Sequence, residues 1–377
     1  MHRITARVTA ATAILLAACG NPERLPLAPT TGGSAELRGQ PATAYLVTFQ
    51  DDVTDVRALA NDMAMRGGFA LDHVRLHAAR GFTAFIPPAF VNTLRGDPRI
   101  KIIEPDGVVT LDLPRDNFGA QARPSQGQQT SYGLARVGGS ADGSGRTAWI
   151  IDTGIDLEHP DLNTSRNCHA SFVRRGSPDD GNGHGTHVAG IVAARNNSVG
   201  TLGVAANAFV CSVRVLDNSG SGQWSWIVAG IDYVAANGAA GEVANMSLGG
   251  SGSNATVEQA VLDASQNVEF VLAAGNNGEH ASDFTPARVN GPNVYTISAI
   301  DSRDCMPSWS NFGNPPVDYA APGVGILSTW RGGGTKSISG TSMAAPHVTG
   351  ILLVGGVRSS GSAGCDPDGN PDPIASR

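Results

Sequence analysis

Charge is scarce in this sequence, and positive charge is scarcer than negative. Only 16% of the 377 residues are charged, with 26 Lys and Arg against 33 Asp and Glu and a net charge of −7. Such a balance leaves no basic footprint for nucleic acid. Cysteine is sparse as well: five residues are too few for a disulfide scaffold. The apolar run at 8–18 is too short to span a bilayer as a helix. Glycine, by contrast, is abundant at 48 residues, which points to a loop-rich α/β domain with tight backbone approaches. The length admits two domains, or a large one with a small one.

In chain order, residues 1–19 have the form of an export signal, with basic His2, Arg3 and Arg7 before the short apolar run. The run ends Leu16-Ala17-Ala18-Cys19, which resembles the bacterial lipobox and marks Cys19 for lipidation. Gly20 in place of aspartate hints at an outer-membrane address; the alternative is an ordinary signal peptide with an incidental cysteine. Residues 20–41, rich in Pro, Gly, Thr and Ser, read as a tether. Residues 42–113 read β-α-β-β-α-β, with strands at 44–49, 71–76, 81–86 and 100–104 and helices at 55–65 and 88–94. That order is ferredoxin-like. His73 and His77 lie in a strand-like alternation, so a metal pair on one helical face is not expected. Residues 114–130 are a polar, Gln- and Pro-rich linker and a natural place for cleavage.

From 131 to 354 strands and helices alternate. Strands are expected at 147–152, 209–216, 242–247, 269–274 and 294–300, and helices at 184–194, 224–236 and 256–265. Near-continuous apolar strands suit an α/β domain whose mostly parallel sheet is covered by helices on both faces. Reactive groups in such sheets gather past the carboxyl ends of the strands. Residues 355–377 read as loop or tail.

Gly340-Thr341-Ser342-Met343-Ala344-Ala345-Pro346-His347 taken alone could be a helix N-cap. A serine nucleophile needs a base, and the base needs a partner that holds its tautomer. Asn182-Gly183-His184-Gly185-Thr186-His187 offers the imidazole and Ile150-Ile151-Asp152-Thr153-Gly154 the carboxylate. Asp156, Asp161, Asp179 and Asp180 read as turn or solvated residues, and His187 as packing rather than a metal ligand. The setting of Ser342 is not the Gly-x-Ser-x-Gly of esterases.

These three segments, in the order Asp, His, Ser, resemble the subtilisin-like serine proteases. Val215-Leu216-Asp217-Asn218-Ser219-Gly220-Ser221-Gly222-Gln223, Trp309-Ser310-Asn311-Phe312-Gly313 and Ala321-Pro322-Gly323 resemble the proteinase K-like branch. The resemblance implies a subtilisin-like fold and a secreted or lipid-anchored serine endopeptidase. In it Asp152 orients His184, His184 acts as base and then acid, and Ser342 attacks. Asn276 and the Ser342 N–H would hold the oxyanion. Polypeptide substrate would add as a strand between Gly220, Ser221 and Gly222 and the segment Ser247, Leu248, Gly249, Gly250. Ser247 to Gly250 with Ala273, Ala274 and Gly275 would wall a small uncharged pocket for apolar or aromatic residues, and Trp224 a further subsite. No cofactor is implied for catalysis. A structural calcium is, at the Pro292 and Val294 carbonyls and Asp318.

The resemblance extends to residues 42–113 as an inhibitory propeptide, with self-cleavage between Leu111 and Gln129 that would free the enzyme from a lipid on Cys19. Setting Cys19 aside, four cysteines allow three connectivities, of which Cys168–Cys211 with Cys305–Cys365 is preferred. The branch's cysteine two residues before the histidine is replaced by Asn182. So short a stretch after Ser342 suggests that a final helix and strand pair is missing. A lipoprotein that merely binds peptides in an idle protease groove is the rival of another class.

Overall fold

The computed structural model describes residues 43–114, 123–124 and 127–377. The expected signal, tether and Cys19 lie outside the described residues, as does part of the linker. The small domain begins with β1 (Thr43–Phe49), α1 (Val56–Gly67), β2 (Leu71–Arg75), β3 (Gly81–Ile86), α2 (Pro88–Arg95) and β4 (Ile100–Pro105). Its antiparallel sheet runs β2-β3-β1-β4. Asp55 caps α1 by accepting from the Ala58 N–H, and Gly68 ends the helix in the left-handed region. Met63, Phe49, Phe82, Ile86 and Leu94 close the core between helices and sheet. Both helices and all four strands fall where the sequence places them. A short strand comes next, β5 (Val108–Thr110).

The large domain contains α3 (Tyr132–Arg136), β6 (Thr147–Asp152), β7 (Ala170–Ser171), α4 (His184–Ala193), β8 (Phe209–Arg214), β9 (Ser221–Gln223) and α5 (Trp224–Asn237). Next come β10 (Val243–Met246), α6 (Ala255–Ala264), β11 (Glu269–Ala273), β12 (Val294–Ile300), β13 (Val317–Pro322), β14 (Ile326–Trp330), β15 (Gly334–Ile338) and α7 (Thr341–Val354). Two more strands, β16 (Arg358–Ser362) and β17 (Pro373–Ser376), close the chain. The nine-stranded sheet is ordered β16-β17-β13-β12-β11-β10-β6-β8-β7. Every pairing is parallel except β16 with β17.

All six residues of β6 are buried, because α4 and α7 cover one face of the sheet and α5 and α6 the other. This is why the strands carry unbroken apolar runs rather than alternation. The preferred disulfides are both present, with Cα–Cα distances of 5.4 Å for Cys168–Cys211 and 5.2 Å for Cys305–Cys365. The expected linker is partly tied to the large domain: Arg123–Pro124 pairs with β15, and the Gln128 side chain donates to the Arg195 and Thr201 carbonyls. Among the described residues no helix is long and apolar enough to cross a membrane.

The last segment differs from expectation. Residues 355–377 are not loop or tail but a hairpin whose β17 extends the sheet beside β13, pairing Ile374 with Ala320. Ala363, Ile374 and Ala375 are buried there, and Asp372 accepts from the Ser298 hydroxyl at 2.6 Å. Pairing with a waiting sheet edge overrides a composition of Gly, Ser, Pro and Asp that locally disfavours strands. The expected missing strand pair is therefore present, while no helix comes after Val354 among the described residues.

Candidate active site

β6 ends on Asp152, whose two carboxylate oxygens lie 2.8 and 3.0 Å from His184 Nδ1. The Thr153 N–H also donates to Asp152 Oδ1. His184 opens α4, and its loop is organised by Asp180. One Asp180 oxygen accepts from the Thr153 hydroxyl and the Asn182 and Gly183 N–H groups; the other accepts from the Thr186 N–H and hydroxyl. Asp180 is buried, so the solvated-turn reading is corrected; buried Asp161, which accepts from Asn197 and Thr201, is corrected likewise. A Cβ on Gly185 would come within 2.1 Å of the Gly154 carbonyl oxygen, so glycine is what lets α4 approach β6. Burial lowers the His184 pKa, but the charge and hydrogen bond of Asp152, with Asp180 behind, outweigh it and the net shift is upward.

Ser342 is the second residue of α7, fixed between β10, β11 and β12 by the buried Met343, Val348, Ile351 and Leu353. Each such side chain contributes about 1.5–3 kcal/mol by burial. Pro346 lies inside this helix and has no N–H to give the Ser342 carbonyl four residues back. The Ser247 hydroxyl donates there instead, at 3.0 Å. The Ser342 hydroxyl donates to the Ser247 carbonyl at 3.2 Å, and His184 Nε2 is buried without a hydrogen bond. The Asp152–His184 contact is thus closed and the His184–Ser342 contact open.

Asn276 stands beside Ser342. Its Oδ1 accepts from the Thr341 N–H at 2.8 Å and the Thr341 hydroxyl at 3.1 Å, which aims Nδ2 outward. Nδ2 donates to the Asp112 carbonyl at 2.6 Å. The small domain's own tail therefore lies in the groove. β5 pairs antiparallel with β9, setting Thr110, Val109 and Val108 against Ser221, Gly222 and Gln223, and the Leu111 N–H donates to the Gly220 carbonyl at 2.9 Å. Opposite run Ser247, Leu248, Gly249 and Gly250, then Ala273, Ala274 and Gly275, around a cavity of about 350 Å³. Trp224 opens α5 and packs between Gly107 and Gly250. Beyond Asp112 the chain continues to buried Pro114, 3.6 Å from where a Cβ on Gly340 would stand.

The small domain is also held away from the groove. Glu104 accepts from the Ala255 and Thr256 N–H groups and the Thr256 hydroxyl at the start of α6. Asp106 accepts from the Ser225 N–H and hydroxyl at the start of α5. Carboxylates at helix N-termini meet free N–H groups and the positive end of the helix dipole. In the other direction Asp232 Oδ1 accepts three N–H groups, from Leu76, His77 and Ala78, and Asp263 accepts that of Ala79.

The expected calcium residues lie at the start of β12 and on β13. Asp318 accepts one N–H, from Thr296 at 2.8 Å, and burial pushes its carboxyl up to about 6. A half-buried carboxylate that accepts a single N–H can take a hard cation, although no three His, Cys, Asp or Glu side chains converge as a metal cage among the described residues. His187 Nε2 meets the Ile326 and Lys336 carbonyls, and burial brings its pKa down to about 3. The sequence does not mark Asp180, Thr341, Asn277 or the docking carboxylates for these contacts. Only the proximity of Thr341 and Asn277 to Ser342 and Asn276 offers a signal.

The subtilase family (peptidase S8) matches residues 143–354. The subtilisin-like serine protease AsES of Sarocladium strictum is 37% identical over 350 residues, covering 87% of this chain and 86% of its own. Proteinase R of Parengyodontium album is 35% identical over 357 residues, with 87% and 86% covered. The crystal structure of a cold adapted subtilisin-like serine proteinase is similar to this fold with a TM-score of 0.57 and 37% identity, over 65% of this chain and 97% of that one. The family match spans the sheet from β6 to α7, and with it the elements that carry Asp152, His184 and Ser342. This chain belongs to the subtilase family, and it is a serine endopeptidase.

Proposed function

We propose that the chain is the precursor of an exported subtilase that cuts itself between Asp112 and Leu113. The observation that carries this is the Asp112 carbonyl, 2.6 Å from Asn276 Nδ2, at the end of a strand paired with β9. In the reaction the Ser342 hydroxyl turns from the Ser247 carbonyl to His184 Nε2 and attacks the Asp112 carbonyl carbon as His184 takes its proton. Asp152 holds the imidazolium. The oxyanion is met by Asn276 Nδ2 and the Ser342 N–H, donors already oriented before charge develops. His184 then protonates the Leu113 nitrogen, the C–N bond breaks, and water hydrolyses the acyl-enzyme by the same proton path. Removing the Asn276 donor is expected to slow turnover about 10²–10³-fold, a range established on a related subtilisin.

Substrate polypeptides take the same path as added strands, and the small, uncharged cavity walls support cleavage after apolar or aromatic residues. Residues 42–112 serve as the propeptide, the enzyme's own inhibitor. The Pro292 and Val294 carbonyls and Asp318 would hold a structural calcium, whose positive charge would balance the half-buried carboxylate. Cys19 anchors the precursor by lipid, and the cut after Asp112 releases the catalytic domain. Mass spectrometry of wild type beside Ser342→Ala tests the central claim. Wild type yields a mature chain starting at Leu113, and Ser342→Ala stays full length. The same shortened N-terminus in both would sink self-processing. A fluorophosphonate probe that leaves Ser342 unlabelled in cleaved protein would favour the idle peptide-binding groove.

A further inference from the structure

We propose that Asn277 is a specificity-determining residue that reads the side chain on the acyl side of the cut bond and lets this protease cleave after aspartate. The inference rests on the reading that Asp112–Leu113 is a bond presented for cleavage. Two neighbouring asparagines grip Asp112 at once. Asn276 Nδ2 holds its carbonyl, and Asn277 Nδ2 donates to its Oδ2 at 3.0 Å.

The pocket itself gives an aspartate little. Its lining includes Ser247, Leu248, Ala273, Ala274 and Ala287 and, among the described residues, no Lys, Arg or His. Asp112 remains exposed at the mouth, with the cavity beside it open. An apolar ring would gain by filling that space, whereas the short carboxylate is held at the rim. Its negative charge also stands one residue's width from the carbonyl where the oxyanion develops, and like charges there raise the barrier. An amide N–H aimed at the carboxylate offsets part of that repulsion without adding a cation that would favour acids over everything else.

The Asn277 side chain is free to serve this role. Its backbone N–H is held by Asn311 Oδ1 at 2.9 Å, and Asn311 also binds the Glu279 N–H and the Ala274 carbonyl. The turn is therefore fixed by Asn311, while the Asn277 side chain gives its hydrogen bond to Asp112. The chain's own processing bond is consequently slow by construction: cut, but after a residue that under-fills the pocket and carries the wrong charge for the transition state.

The test is a double-mutant cycle on the full chain, with processing followed by time-resolved mass spectrometry. Asn277→Ala slows appearance of the Leu113 N-terminus about fivefold, the worth of one exposed charge-assisted hydrogen bond. Asp112→Phe alone speeds it. In the chain carrying Asp112→Phe, adding Asn277→Ala slows processing by a clearly smaller factor than in the parent. Equal slowing in both backgrounds, or none in the parent, overturns the proposal. A wild-type N-terminus other than Leu113 refutes the underlying reading instead. A second measurement then decides on Asn277: mature enzyme is given two peptides differing only in Asp or Phe at the acyl position. Asn277→Ala lowers the Asp:Phe ratio of kcat/KM about fivefold, from the same hydrogen bond, and Asn277→Asp lowers it further. An unchanged ratio overturns the proposal.

Discussion

The small domain meets the large one in two regions of different kinds. In the groove the contact is strand to strand, main chain to main chain, and ends at the Asp112 carbonyl. On α5 and α6 it is carboxylate to N–H: Glu104 and Asp106 reach across one way, Asp232 and Asp263 the other. A single proteolytic cut after Asp112 severs only the groove strand from the catalytic chain. The carboxylate contacts are untouched by cleavage, so under the proposed processing they govern how long the enzyme stays inhibited. Cutting and release are thereby assigned to separate sets of residues.

The largest way to break this separation is Asp232→Ala. It leaves three N–H groups of residues 76–78 without their acceptor, which costs about 3 kcal/mol. The lag between self-cleavage and onset of activity should shorten by about a hundredfold by the same reckoning, while the chemistry of the cut is unchanged. Glu104→Gln removes a charge from one helix N-terminus and weakens the docking by about 1 kcal/mol, read in the same lag.

Acid should split the two regions in opposite senses. His73 packs edge-on against Phe172 of the large domain, with its Nε2 buried and unbonded. Burial, then the Arg75 charge, lowers its pKa below 6.5; Asp232 and Asp72 oppose this and Arg57 adds to it. A histidine that binds its proton less well when docked destabilises docking as pH falls through its free value. Once cut as proposed, the small domain should therefore leave faster below about pH 6.5, and His73→Leu should remove that dependence. In the proposed mechanism His184, raised in pKa, must be neutral to act as base, so the cut itself should slow as pH falls. The smallest effect is expected from Thr110→Val. It deletes an exposed side-chain bond to Ser221 and should shift inhibition by less than about 0.5 kcal/mol, because the groove is held by backbone.

The two regions also differ in how legible they are. The groove could be read in the sequence because its parts are local. Asp152, His184, Asn276 and Ser342 each stand in a glycine-rich turn next to a buried strand or helix, and the backbone geometry constrains several neighbours at once. The docking carboxylates could not. Glu104 and Asp232 look like any surface acid until the chain folds, since each finds its partners some 150 residues away. Asp180 was hidden for a related reason: five hydrogen bonds converge on one side chain in a segment, Asp179-Asp180-Gly181, that resembles an ordinary turn. The hairpin at 358–376 depends on an edge made by β13, which local propensity does not report.

The proline inside α7 has a consequence for anyone who would redesign this enzyme. Because Pro346 leaves a rung out of the helix, the carbonyl of Ser342 is tied to Ser247, a wall residue of the cavity in the groove. Under the proposed mechanism pocket and nucleophile share that tie, so recognition and turnover are not independent dials. A library that varies Ser247 to retune what is cut will also vary how well Ser342 is held. Selectivity is better sought at the rim, where side chains such as Asn277 carry no such second duty.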